Sequence, residues 1–203
     1  LTGGFGIDFS FLAPLFDRAV YMERQPELCR IAAHNFKTLG LAQAEIRETD
    51  SSLSPDEWPD AACCFVDPAR RDTVGRKTVA IEDCEPDLSI LQEAIRRKAA
   101  FSLIKLSPML DIRTALRTLA HVAEVHAVSV QGECKELLLV MTRQKTEKTA
   151  CHCVNLGTED PTFTFTLTEE EEAACTYSDT PGRFLYEPNA SVMKCGGFRS
   201  LAT

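Results

Sequence analysis

Leu1-Thr2-Gly3-Gly4-Phe5-Gly6-Ile7-Asp8 puts three glycines into four residues at the head of an apolar-rich segment. Glycine lacks a Cβ, so such a stretch can take φ > 0 and let a ligand lie against the peptide plane. A helix that follows aims its free N–H groups at the same place. A strand is expected just before a turn of this kind. The 203 residues open on Leu1 rather than Met, and they are expected to belong to a longer polypeptide whose first sheet strand lies upstream.

Working outward, Phe9, Phe11, Leu12, Leu15 and Phe16 supply an apolar helix face, with Asp8 as its N-cap and Pro14 ending it early. Ala19 to Met22 is a short buried strand closing on Glu23. Pro26 opens a helix that runs to about Leu39 and stops at Gly40. Glu45-Ile46-Arg47 is a strand leading to Asp50. Pro55 and Pro59 mark a loop holding one helical turn. The apolar run Ala61 to Val66 is expected to be a central parallel strand covered on both faces, and it ends at Asp67-Pro68-Ala69-Arg70-Arg71. Helices follow from Pro86-Asp87 and from Asp111, with a strand at Phe101–Leu106 between them. Val122–Val130 and Glu136–Met141 form an antiparallel pair through Gln131-Gly132-Glu133.

Strands alternating with helices and closing on a hairpin describe an α/β sheet covered on both sides. The charged run Arg143 to Thr149 marks a boundary, giving a main domain over 1–145 and a small α+β region over 146–203. In that tail, 151–156 and 162–167 are strands, Glu169 to Glu172 is a solvated acidic run, and 188–202 begins another helix.

Composition narrows the function. At 44% hydrophobic the chain can bury one ordinary core. No apolar run approaches the ~18 residues of a membrane span. Nine scattered cysteines, an odd number, fit reduced thiols in a cytoplasmic protein. Cys151-His152-Cys153 is the one cluster that suggests zinc. Its ligands alternate along a strand with no matching pair nearby, so no metal is assigned. His34, His121, His126 and His152 receive no catalytic role. The net charge of −8 argues against gripping nucleic acid with the whole surface, while leaving room for a local basic patch.

Ligands of open α/β sheets bind at the carboxyl ends of the strands. The glycine turn, Glu23, Asp50 and Asp67-Pro68 fall at successive strand ends. Carboxylates after the second and third strands can accept hydrogen bonds from a ribose diol and an adenine amine, which suits an adenosine-type ligand. For NAD the spacing from Gly4 and Gly6 requires a small residue at position 9, where Phe9 stands. No Gly-Lys-Ser/Thr of a P-loop occurs. For Glu23 and Asp50 the alternative is capping a helix or facing solvent.

These residues resemble the class I S-adenosylmethionine-dependent methyltransferases over about 1–141. Within them they are similar to the branch acting on RNA bases, where Asp/Asn-Pro-Pro-x ends the fourth strand. More narrowly the chain resembles bacterial methyltransferase-like proteins carrying a THUMP-like domain, which the tail would begin. The resemblance implies a Rossmann-like, mostly parallel seven-stranded sheet with an antiparallel C-terminal hairpin. It implies that Thr2, Gly4 and Gly6 contact the methionine and ribose of S-adenosylmethionine, that Glu23 holds the ribose hydroxyls, and that Asp50 holds the adenine. Asp67 and the Pro68 carbonyl would orient an exocyclic amine of an RNA base. Ala69 departs from the usual second proline, and Arg70 stands where an aromatic often stacks on the base. Arg70 can stack instead, and Arg71, Arg76 and Lys77 can meet phosphates; the alternative is a solvated basic loop. Uracil-5 methyltransferases share an Asp-Pro-x-Arg ending but need a cysteine where Leu106-Ser107-Pro108 stands, so nitrogen methylation is favoured. A catalytically silent RNA-binding module and a small-molecule methyltransferase are the rival expectations.

Overall fold

The computed structural model describes residues 1–69, 81–180 and 182–202. The glycine turn leads into α1 (Ile7–Leu12), which Pro14 converts into a 3-10 turn over Ala13–Leu15. Then come β1 (Ala19–Glu23), α2 (Pro26–Thr38) and β2 (Ala44–Glu48). Pro26 sits at the first helical position of α2, and Gly40 beyond its end takes φ 71°. A 3-10 turn at Pro55–Glu57 precedes β3 (Ala61–Val66). Two capped helices follow, α3 (Leu88–Lys98) and α4 (Ile112–Thr118), with β4 (Ala99–Leu106) between them. The Asp87 carboxylate accepts from Ser89 N and the Asp111 carboxylate from Thr114 N, each satisfying an orphan donor of a first turn.

β5 (Val122–Val130) and β6 (Glu133–Thr142) are joined by Gln131 and Gly132 at φ 52° and 77°. Two positive φ values match the turn twist to that of a two-residue hairpin. The tail adds β7 (Ala150–Leu156), β8 (Thr162–Thr166), α5 (Leu167–Glu172), α6 (Ala190–Cys195) and α7 (Phe198–Leu201).

Among the described residues the strands form two sheets. β1 and β2 pair in parallel, and the second sheet runs β3-β4-β6-β5-β7-β8 with both parallel and antiparallel neighbours. The strands beyond residue 145 thus extend this sheet, because β7 pairs with β5 from Glu124↔Ala150 to Val130↔Leu156. The larger core packs α3, α4 and α6 on one face of the six-stranded sheet, around Ile95, Ile104, Leu139 and Val125. A smaller one packs α2 on β1 through Tyr21, Cys29, Ala32 and Phe36.

Three local expectations need correction. Gly6, not Asp8, is the N-cap of α1, at φ 76°. The helix starts at Ile7, directly after the left-handed Gly6, so Asp8 falls inside the first turn and its carboxylate meets Lys105 instead. β3 is not covered on both faces along its length: Ala61 and Ala62 are exposed and Cys63 to Phe65 only half-buried. The acidic run forms a capped helix turn in which Glu169, Glu171 and Glu172 are exposed as expected and Glu170 is not. Glu170 is buried because it accepts from Arg199 N and Ser200 N, so α5 anchors α7.

Between β1 and β3 lies a cavity of ≈ 600 Å³, lined by Ala19–Met22 on one side and Ala61–Phe65 on the other. The chain start closes its end. The Leu1 amine donates to Phe65 O at 2.8 Å, and Gly3 N donates to Met22 O at 2.8 Å.

Candidate functional site

The site grows from the glycine turn. Thr2 and Gly4 both take φ 55°, and Gly6 N donates to Gly3 O at 2.9 Å. Each glycine is needed for a different reason. A Cβ on Gly3 would stand 2.2 Å from the Tyr21 ring, and one on Gly6 2.7 Å from the Phe36 ring. A Cβ on Gly4 would meet nothing within 4 Å, so this turn is open on the Gly4 side. The rings that crowd Gly3 and Gly6 also explain Phe9. It packs edge-on to Tyr21 at 5.5 Å and against Phe36 at 4.8 Å, filling with an aromatic the place where a dinucleotide fold needs a small residue.

Two side chains from β1 hold the turn. Tyr21 donates its hydroxyl to Gly4 O at 2.5 Å, and burial pushes its phenol up, keeping it a donor. Glu23 is buried, accepting from Gly4 N at 2.8 Å through one oxygen and from Gln25 N at 2.9 Å through the other. A single carboxylate therefore ties the glycine turn to the entry of α2. Thr2 reaches the other way: its hydroxyl accepts from Asp67 N at 3.0 Å.

Asp50 forms its own small turn. Its Oδ1 accepts from Ser52 N at 2.9 Å and from the Ser52 hydroxyl at 2.6 Å, and these bonds hold its carboxyl below the usual range despite partial burial. Arg24 lies 3.8 Å from Asp50 Oδ2 and 2.5 Å from Glu85 Oε1, linking the β2 end to the strip beside Ala69. Ala69 exchanges backbone hydrogen bonds with Glu85, which fixes the stretch after Asp67.

Asp67 is half-buried and Pro68 buried at the end of β3. Asp67 Oδ2 lies 3.0 Å from Lys105 Nζ, which also meets Asp8 Oδ2 at 2.7 Å. Partial burial alone would lower the Lys105 pKa, but the bonds to Asp8 and Asp67 outweigh it and raise the value. Lys105, which the sequence did not single out, and Asp8, expected only as a helix cap, thus join the site. The usable signal was that Lys105 is the one charged residue of β4.

The structure ties Glu23 to Gly4 and Asp67 to Thr2 on the two sides of the glycine turn, whereas Asp50 is linked through Arg24 to Glu85 and not to these residues. Gly6 serves packing and the start of α1. Arg70 and Arg71, together with Arg76 and Lys77, lie outside the described residues. Burial pushes the Cys63 thiol up to about 11 and the Cys64 thiol up as well, as for packing residues and not nucleophiles. None of the nine cysteines is in a disulfide.

A crystal structure from Porphyromonas gingivalis W83, assigned provisionally as a methyltransferase, matches this architecture over 100% of the chain, at 37% identity and a TM-score of 0.83. The chain has a methyltransferase fold. It spans 51% of that relative's length. An rRNA methylase from Streptococcus thermophilus shares the fold over 70% of this chain and 84% of its own, at 15% identity and a TM-score of 0.50. No protein-family model and no curated protein matches the chain. Among the described residues no helix is long and apolar enough to cross a membrane.

In this methyltransferase fold the candidate site lies where the glycine turn and the ends of β1, β2 and β3 converge. Its chemistry is that of carboxylates held in place by backbone N–H groups, one open glycine, and one lysine joined to Asp67.

Proposed function

We propose that this protein transfers a methyl group from S-adenosylmethionine to an exocyclic amine of a base in RNA. The observation that carries the reading is Asp67, whose backbone is bonded to the glycine turn through Thr2 and whose carboxylate is fixed by Lys105. The donor set suits the cofactor. The open side of Gly4 leaves room for a ligand against the peptide plane, and Thr2 and Gly6 shape that turn. Glu23 retains lone pairs beyond those used by Gly4 and Gln25, with which it would accept from ribose hydroxyls. Asp50 would accept from the adenine amine.

When bound, S-adenosylmethionine supplies a methyl group already activated on a sulfonium, so the protein's task is alignment. Asp67 and the Pro68 carbonyl would each accept an N–H of the target amine, turning its lone pair towards the cofactor. Arg70 would stack on the base and Arg71 would meet a phosphate. The proposal extends to a strand upstream of Leu1 filling the cavity between β1 and β3. That strand would complete a seven-stranded sheet, β2-β1-new-β3-β4-β6-β5, with β7 and β8 beyond. The hydrogen bonds from residues 1 and 3 to Phe65 and Met22 support it, because they anchor the chain to both flanking strands. The tail over 146–203 would be the THUMP-like part, and the protein would act in the cytoplasm.

A silent methyltransferase fold is the second reading. It is favoured by Lys105, whose ammonium already takes Asp67 Oδ2 as a substrate amine would. Nucleoside mass spectrometry of total RNA from a deletion strain separates the two. Loss of one methylated nucleoside, restored by the wild type and not by Asp67→Ala, supports the enzyme. An unchanged profile removes the RNA-methylating reading.

A further inference from the structure

Away from the glycine turn, the pairing of β5 with β7 brings three metal-ligating side chains to one point of the sheet. The parallel register sets His126 opposite His152, and their rings stack at 4.5 Å with 20° between planes. Glu124 lies two residues before His126, hence on the same face of β5. Its Oε2 stands 2.8 Å from His126 Nε2 and 3.9 Å from His152 Nε2. All three ligand atoms lie within 4.8 Å of one another.

We propose that Glu124, His126 and His152 bind a divalent transition-metal ion of the zinc, cobalt or nickel type. Metal–nitrogen and metal–oxygen bonds of about 2.0–2.1 Å put neighbouring tetrahedral ligands about 3.3 Å apart. The two observed spacings from Glu124 fall on either side of that value, and turning the imidazoles out of their near-parallel stack, so that both Nε2 lone pairs converge beside Glu124, closes the set. Two imidazoles and a carboxylate are the donors such ions of intermediate softness accept. The side chains are 44%, 29% and 31% exposed, which leaves an ion access and room for water at the remaining position.

A second contact fits the role. His152 Nδ1 lies 3.2 Å from the Thr164 hydroxyl on the adjacent β8. With Nδ1–H donating to Thr164, the lone pair of His152 is on Nε2, the atom facing Glu124. A ligating histidine is commonly oriented through its other nitrogen in this way. Cys151 and Cys153 flank His152 in sequence but are buried on the opposite face of β7, so the set contains no thiolate. The ion would clamp the tail strand β7 to β5, independently of whether the protein transfers methyl groups.

The test is a cobalt(II) titration of the reduced full-length protein, read by absorption and by thermal unfolding. The expected result is one equivalent with d–d bands, no sulfur-to-cobalt charge transfer from that ion, and a higher Tm with metal. His126→Gln and His152→Gln each remove that equivalent and the Tm gain, and Glu124→Gln weakens both. Thr164→Val lowers affinity by about 10–100-fold, as for loss of an orienting partner. Far-UV circular dichroism confirms that the variants are folded, and Thr164→Val leaves all three ligands in place should one of the others misfold. Absence of cobalt uptake by the wild type, uptake only with sulfur charge transfer, or equal uptake in the histidine variants overturns the proposal.

Discussion

Glu23→Gln tests whether one carboxylate holds the glycine turn. Glutamine keeps the size of the side chain but offers one acceptor oxygen where glutamate offers two. Gly4 N and Gln25 N each point at a different oxygen, 2.8 and 2.9 Å away. Whichever way the amide is turned, one of these backbone donors meets an NH2 group. That donor loses its bond in a buried place and costs about 1–3 kcal/mol. The surviving bond changes from charge-assisted to neutral, a further loss of about 1 kcal/mol. The sum is a destabilisation of about 2–4 kcal/mol. In urea, with a slope of about 2 kcal/mol/M, it lowers the midpoint by roughly 1–2 M. Trp58, the only tryptophan, is buried with its indole N–H on Ser51 O, and its fluorescence reports the transition. A loss below about 0.5 kcal/mol, the range of ordinary surface changes, would refute the anchoring role.

Other perturbations bear on the neighbouring residues. Gly6→Ala forces a Cβ to within 2.7 Å of the Phe36 ring at φ 76°, so it should destabilise by about 2–5 kcal/mol from strain and overpacking together. Thermal or urea unfolding indistinguishable from wild type would contradict this packing. Lys105 has a raised pKa, so its contribution is full below the unfolded value of about 10.4 and fades as pH rises through the higher folded value. Lys105→Met should therefore lower stability at pH 7 and flatten its decline above about pH 10; an unchanged alkaline slope would remove the linkage. Ser52→Ala removes the hydroxyl bonded to Asp50 at 2.6 Å, and an NMR titration should find the Asp50 carboxyl moved up towards the ordinary carboxylate range. No movement would show that the Ser52 hydroxyl does not set it.

Much of the fold was legible because its signals are local. Pro26 and Gly40 bracket α2, Asp87 and Asp111 cap α3 and α4, and Gln131-Gly132 supplies the two positive φ values of the hairpin. The strand-end positions of Glu23, Asp50 and Asp67 were equally readable, since each ends an apolar or β-rich run. What escaped depends on register across the sheet. Asp8 and Lys105 are 97 residues apart, and only the placement of α1 beside the end of β4 joins them. Glu124, His126 and His152 meet because β7 pairs with β5 in one register, which no spacing in the sequence encodes. Glu170 looked like one of four solvated acids. It is buried because α7, some 30 residues later, turns its first N–H groups onto it.

The central claim is that the open glycine turn and the carboxylates around it bind S-adenosylmethionine. Calorimetry of the full-length protein with S-adenosylhomocysteine, beside its Gly4→Ala variant, tests it most directly. An alanine Cβ at Gly4 meets no protein atom within 4 Å, so the substitution costs only the strain of φ 55°, about 1–2 kcal/mol. It projects into the space the ligand needs. The account predicts saturable one-to-one binding by the wild type and markedly weaker binding by a still-folded Gly4→Ala. No heat of binding in the wild type, or equal affinity in the two, would contradict it.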